Sequence, residues 1–190
     1  MYVHFTRVLF VRIVLGASSL GIVGVYPLMK RISYWPQLVL GLAFNWGALI
    51  GWASVAGTCN WAAVLPLYVS GISWTLIYDT IYAHQDKHDD VKLGLKSTAL
   101  RFGDDTKLWL SGFAVMQVSG LAMAGAVADM GTTFYGVSVL GTAAHLAWQI
   151  STVDLNNSKD CMSKFLSNVY LGGLVAAGIG LDKLLTAPIV

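Results

Sequence analysis

Apolar positions gather into six long runs separated by short polar stretches, at residues 8–26, 36–56, 61–78, 108–128, 132–150 and 165–185. A bilayer is crossed by about 20 apolar residues in a helix, and each run meets or approaches that length. The pattern predicts an all-α fold, a polytopic membrane helix bundle of about six spans forming a single membrane domain. Pro36 stands where a first-turn proline is tolerated, and Pro66 predicts a kink in the third span. Gly47 and Gly51, four apart, predict a face on which another helix packs closely. The connection 79–107 is the one with room for structure of its own. Gly94 should end or bend the helix entering it, and Ser97-Thr98 reads as an N-cap before a short turn, 99–102, stopped at Gly103. Such a segment would lie at the membrane face as a lid.

Composition agrees with the pattern. The 190 residues are 56% hydrophobic and 12% charged, with mean hydropathy +0.64, 20 Gly, 7 Trp and no Glu. Soluble domains carry roughly twice that charge. A net charge of +2 without a basic stripe gives no footing for nucleic acid. Cys59 and Cys161 fall in loops on opposite sides of a six-span topology, so no disulfide is expected. Lys30, Arg31, Lys87, Lys92, Lys96, Arg101, Lys107, Lys159 and Lys164 share one side. Arg7 and Lys183 flank the other, and Arg12 lies inside the first run. The positive-inside rule turns the basic side toward the cytosol-like compartment.

The acidic residues lie on that same side. The run DTIYAHQDKHDDVKLGLKS puts four of the chain's ten acids, Asp79, Asp86, Asp89 and Asp90, into twelve positions. If the helix continues through it, Asp86 and Asp90 stack on one face, with Asp79 about two turns earlier. Carboxylates so placed repel unless a cation lies between them. Mg²⁺ suits them, because it takes one or two carboxylates and fills its remaining positions with water and phosphate. Lys92, Lys96 and Arg101 could then hold the phosphate. Lys30 and Arg31 read either as a positive-inside anchor or as a diphosphate clamp facing the acids. His84 and His88 are also four apart, but their face is turned by about 200° from the Asp86/Asp90 face and a zinc motif's third ligand is missing. Within the spans, Asn45, Trp46 and His145 should find partners in the bundle, while Asn45 and Tyr82 are also candidates for a cavity wall. Asp129 and Asp182 stand at span ends, where water should reach them. Acids beside spans also suit a cation transporter, but here they collect at one face instead of lining several spans. A non-catalytic membrane subunit is the other alternative.

The segment DTIYAHQDKHDDVKLGLKSTALRFG resembles the second aspartate-rich motif of the UbiA-type intramembrane prenyltransferases, in the branch that prenylates 4-hydroxybenzoate for ubiquinone. The upstream YPLMKRISYWPQLVLGLAFNWGALIGW is similar to the same branch, with its Tyr-x-x-x-Lys pattern at Tyr26 and Lys30. The likeness runs from about Gly16 to the end. It implies a nine-helix bundle of which these spans are the last six. It further implies that Asp86 and Asp90 are Mg²⁺ carboxylates with Asp79 in support, and that Tyr26 and Lys30, with Lys92 and Arg101, hold the diphosphate. The implied partners are polyprenyl diphosphate, 4-hydroxybenzoate, the lipid bilayer and other ubiquinone-biosynthesis proteins. The implied location is the mitochondrial inner membrane with the site on the matrix side. The family's first motif, of the NDxxDxxxD type, does not occur in the sequence. The chain is therefore expected to lack N-terminal helices, to hold half of the metal site, and to have impaired activity by itself.

Overall fold

The computed structural model describes residues 2–186, and side chains from Ile13 onward. The side chains of Arg7 and Arg12, on which part of the charge asymmetry rests, lie outside the described residues. Among those described, the fold is helical with no strand. α1 (Tyr2–Ile32) is followed by α2 (Pro36–Phe44) and α3 (Trp46–Ala56), which continue one another across a break at Asn45. α4 (Trp61–Ala83) leads into two short helices, α5 (Lys87–Lys92) and α6 (Thr98–Phe102). α7 (Thr106–Val127) follows. A final hairpin is made of α8 (Thr132–Phe134), α9 (Leu140–Thr152) and α10 (Ser158–Thr186).

Among the described residues, five helical stretches are long and apolar enough to cross a membrane: Ile13–Ile32, Pro36–Ala56, Trp61–Ala83, Thr98–Val127 and Ser158–Thr186. The sixth expected span, 132–150, is not among them. It is helical, but a π-turn at Tyr135–Val139 separates α8 from α9. Even so, it traverses the bundle antiparallel to α10: Gly131 and Phe134 meet Asp182 at one end, and Gln149 donates to the Lys164 carbonyl at the other. Among the described residues the chain therefore runs along the bundle six times, five of them in stretches long and apolar enough to cross a membrane. The boundaries also move outward. α1 runs past Tyr26 to include Lys30 and Arg31, α4 runs past Tyr78 to include Asp79 and Tyr82, and α10 begins at Ser158 instead of 165.

α4 and α7 are the most closely packed pair, and they enclose the main core of Leu76, Ile77, Ile81, Leu110 and Phe113 with Leu146 and Leu171. Gly120 makes that approach possible, since a Cβ there would stand 2.6 Å from the Pro66 carbonyl oxygen. Gly178 does the same for the π-turn, where a Cβ would collide with the Ser138 hydroxyl. At Gly47 and Gly51 no helix among the described residues makes the close approach that the pair would allow, for nothing lies within 4 Å of a Cβ built at either. The polar residues within the passes are held by neighbours. Asn45 Nδ2 donates to the Gly41 carbonyl and to Thr75 Oγ1, at 2.9 and 3.0 Å. Trp46 Nε1 donates to the Leu15 carbonyl, and His145 bonds Ser167. Asp182 corrects another expectation. It is 1% exposed, and its carboxylate accepts from the backbone N–H groups of Gly131 and Phe134 at 2.8 and 3.1 Å. It thereby supplies from α10 the cap that Gly131 cannot give to α8. Asp129 is exposed, as expected.

Candidate functional site at one end of the bundle

The ends of α1, α4 and α9 and the starts of α7 and α10 meet at one end of the bundle. His84 bonds Thr106 Oγ1 at 3.2 Å, Lys107 Nζ donates to the Ser151 carbonyl, and the Ser158 hydroxyl donates to Gln85. These bonds explain why the helix does not continue through the acidic run. His84 is tied to the start of α7 and Gln85 to the start of α10, so the chain is drawn away from the α4 axis after Ala83. Its last turn tightens into i→i−3 bonds, from His84 N to Ile81 O and from Gln85 N to Tyr82 O. Asp86 then stands at the N-cap position of α5, its carbonyl accepting from the N–H groups of Asp89 and Asp90. The single continuous helix expected from Asp79 through Asp90 is therefore broken between Asp79 and Asp86, while Asp86 and Asp90 stay one turn apart, the Asp90 N–H donating to the Asp86 carbonyl at 2.8 Å. Asp86 is exposed, whereas Asp90 is 5% exposed.

The acids and the α1 cation still converge, by turns instead of by helical spacing. Lys30 is near enough to act electrostatically on both Asp79 and Asp90, and Asp79 on Tyr26. Lys30 forms no ion pair with either; the pairs among the described residues are Lys92–Asp89 and Lys164–Asp160. Burial pushes the Asp90 carboxyl above its usual range and Lys30 opposes the rise. Smaller effects come from Asp86, which adds to it, the Ser97 hydroxyl, which opposes it, and Asp89, which adds to it. His84 is driven down to about 4, by burial first and then by Lys87, so its imidazole is neutral. With its Nε2 engaged by Thr106, and His88 exposed on α5, the histidine pair makes no zinc site.

Two predicted diphosphate ligands are not drawn into this group. Lys92 pairs with Asp89 at 3.1 Å on the surface, and Arg101 is exposed on α6 with no ion pair among the described residues. Asn45 lines a cavity of about 330 Å³ together with Phe44, Trp74, Tyr78 and Phe165. Tyr82 is not part of its lining, but its ring lies 4.9 Å from that of Phe165. Larger grooves, of about 620 and 670 Å³, flank α9 away from the acids. No three His, Cys or Asp side chains among the described residues come together as a ready metal cage. The donors present are hard carboxylate oxygens on separate elements, with an unpaired ammonium beside them. That set suits a hard divalent ion held by one or two carboxylates and completed by phosphate, not an ion held by protein alone.

Residues that the sequence reading passed over also serve this end. Gln37 Oε1 accepts from Thr98 N at 3.1 Å, and the hydroxyls of Thr80 and Thr98 are 2.7 Å apart. All three residues are buried. The signal was an amide directly after Pro36 in an otherwise apolar run, where a buried polar group needs a partner.

Comparison with known proteins places this geometry in context. The chain is 57% identical over 173 residues to the mitochondrial 4-hydroxybenzoate polyprenyltransferase of Homo sapiens, covering 90% of this chain and 46% of that one. It is 57% identical over 174 residues to the Drosophila melanogaster protein of the same name (91% and 44%), and 55% identical over 170 to that of Arabidopsis thaliana (90% and 42%). The chain thus spans less than half the length of these curated relatives. No solved structure gives a significant match. The UbiA prenyltransferase family matches residues 8–172, from most of α1 through the acidic connector into the first half of α10, and the chain belongs to that family.

Proposed function

We propose that this chain forms one membrane domain carrying a diphosphate-binding half of an intramembrane prenyltransferase, which joins a polyprenyl group to the ring of 4-hydroxybenzoate in ubiquinone biosynthesis. The observation that carries the reading is the convergence of Lys30, Asp79 and Asp90 without an ion pair between them. Charges half-withdrawn from water and left unpaired are costly unless a ligand completes them. A diphosphate with a divalent ion brings both signs. In this reading the 79–107 connector is the membrane-face loop bearing the motif, on the matrix side of the mitochondrial inner membrane.

The roles follow from position. Asp90 and Asp86 would hold Mg²⁺, with Asp79 in support. Mg²⁺ bound there supplies positive charge against a leaving diphosphate. Lys30 adds a fixed positive charge on the α1 side, and the Tyr26 hydroxyl orients the diphosphate. Lys92 and Arg101 would have to turn from their present positions to take part. The allylic C–O bond breaks, with its electron pair leaving on the diphosphate. The ring carbon ortho to the phenol oxygen forms the new C–C bond and then loses its proton. The aromatic cavity beside Asn45, Trp74 and Tyr78 gives an isoprenoid tail an apolar wall and keeps water from the allylic carbon.

Mg²⁺-dependent prenylation of 4-hydroxybenzoate in membranes tests this. The comparison is between this chain, its Asp86→Asn/Asp90→Asn form, and a version joined to the N-terminal portion of a relative. Activity in the joined protein that its own Asp variants abolish is the expected result. Silence in every form would reject the reading in favour of a non-catalytic role.

A further inference from the structure

Residues 95–97 link α5 to α6 without regular secondary structure, with Ser97 extended at φ −149° and ψ 163°, and they cross the acidic end as a strap. Its consecutive amides reach opposite neighbours. Leu95 N donates to the Asp90 carbonyl at 2.8 Å and Lys96 N to the Lys30 carbonyl at 2.7 Å. The two residues whose charges meet at the site are therefore joined through the main chain of this one strap. Lys96 Nζ adds a bond to the Ile32 carbonyl at 3.1 Å, and its ammonium lies 5.3 Å from the centre of the Tyr34 ring. The next residue fixes the strap to the bundle: Thr98 N donates to Gln37 Oε1, and its hydroxyl meets that of Thr80. Ser97 caps α6 by accepting from Leu100 N at 3.4 Å.

We propose that Gln37 and Thr80 are positioning residues that, through Thr98 and the strap, hold Lys30 and Asp90 at the separation a metal–diphosphate group requires. The proposal rests on the diphosphate reading above. Neither residue touches substrate in it. Gln37 is well suited to the task, because its partner is a buried backbone N–H with no helical acceptor available at the start of α6. Removing the acceptor leaves that N–H buried and unpaired, so the strap must shift to reach water. Lys30 and Asp90 move with it.

The test is binding of inorganic pyrophosphate in the presence of Mn²⁺ to the chain in nanodiscs, by calorimetry and by the Mn²⁺ paramagnetic signal, with melting temperature measured in parallel. Gln37→Leu should weaken binding about tenfold, as loss of a supporting partner does at metal sites. Gln37→Glu, which keeps an acceptor oxygen, should stay within about threefold of wild type. Thr80→Val provides a second route to the same anchor and should weaken binding severalfold. In an Asp90→Asn background, Gln37→Leu should cause no further loss, because it acts through a group already removed. Gln37→Leu and Thr80→Val that both melt lower yet bind as wild type would overturn the proposal. So would a Gln37→Leu effect that adds fully to that of Asp90→Asn. Either result leaves the diphosphate reading standing, provided Asp90→Asn itself loses binding. If Asp90→Asn binds normally, or if wild type does not bind, both readings fall.

Discussion

Two buried carboxylates at opposite ends of the bundle show different solutions to the same problem. Asp182 is 1% exposed and accepts from two backbone N–H groups, so its charge is answered within the protein. Asp90 is almost as buried, yet Lys30, the cation that acts on it, forms no ion pair with it, and Asp86 and Asp89 act on it as like charges. The first charge is answered by two backbone donors, whereas the second has a hydrogen bond from Ser97 and no ion pair, which leaves room for a cation in the proposed function. Burial alone thus says little about function; what separates the two acids is whether their partners are already in place.

The widest separation between them should come from Asp90→Asn. Prenyl transfer by the joined protein should fall about a thousandfold, while stability is unchanged or improved because a buried charge is gone. Radiolabelled product formation beside a thermal melt checks both halves. Asp182→Ala should do the reverse. It should cost about 3 kcal/mol of stability by leaving two donors unsatisfied, with pyrophosphate binding per folded molecule unaltered, as read by denaturant unfolding and calorimetry. A smaller contrast lies in the glycines. Gly120→Ala forces a Cβ onto the Pro66 carbonyl and should destabilise by about 2 kcal/mol. Gly47→Ala meets open space and should be neutral or stabilising by up to about 1 kcal/mol. Melting both variants side by side decides. The smallest effect is expected from Lys92→Ala, since an exposed pair contributes little. Pyrophosphate affinity should move by less than about twofold, and a larger loss would bring Lys92 back into the site.

The passes were legible in the sequence because apolar runs near bilayer length admit few other structures. The acidic run was legible as a site because like charges seldom crowd together without cause. What the sequence misled on was the path between those acids. Helical spacing joined Asp79 to Asp86, but His84 and Gln85 are bound to residues 22 and 73 positions away, and those tertiary bonds end α4 between the two acids. Gly47 and Gly51 misled for a related reason: the motif states that a helix can come close, not that one does. Asp182 was read from its place at a span end, where water is the usual partner. Its actual partners, at the start of the same hairpin some 50 residues earlier, leave no local signal. The strap was half visible, since Ser97 as a cap follows from its type, whereas Gln37 as the anchor of Thr98 depends on a contact 61 residues apart in sequence.

Because the strap makes its bonds through the main chain, the identities of residues 95 and 96 matter less to it than how many residues precede them. The Leu95 N–H closes the C-terminal turn of α5 just past Gly94, whose φ is +65°, so the number of residues after that turn decides which amide arrives at the Lys30 carbonyl. One residue inserted between Leu95 and Lys96 should bring the wrong N–H to the Lys30 carbonyl and add slack to the strap. The connector can thus tolerate a good deal of side-chain drift while remaining intolerant of a change in length by a single residue.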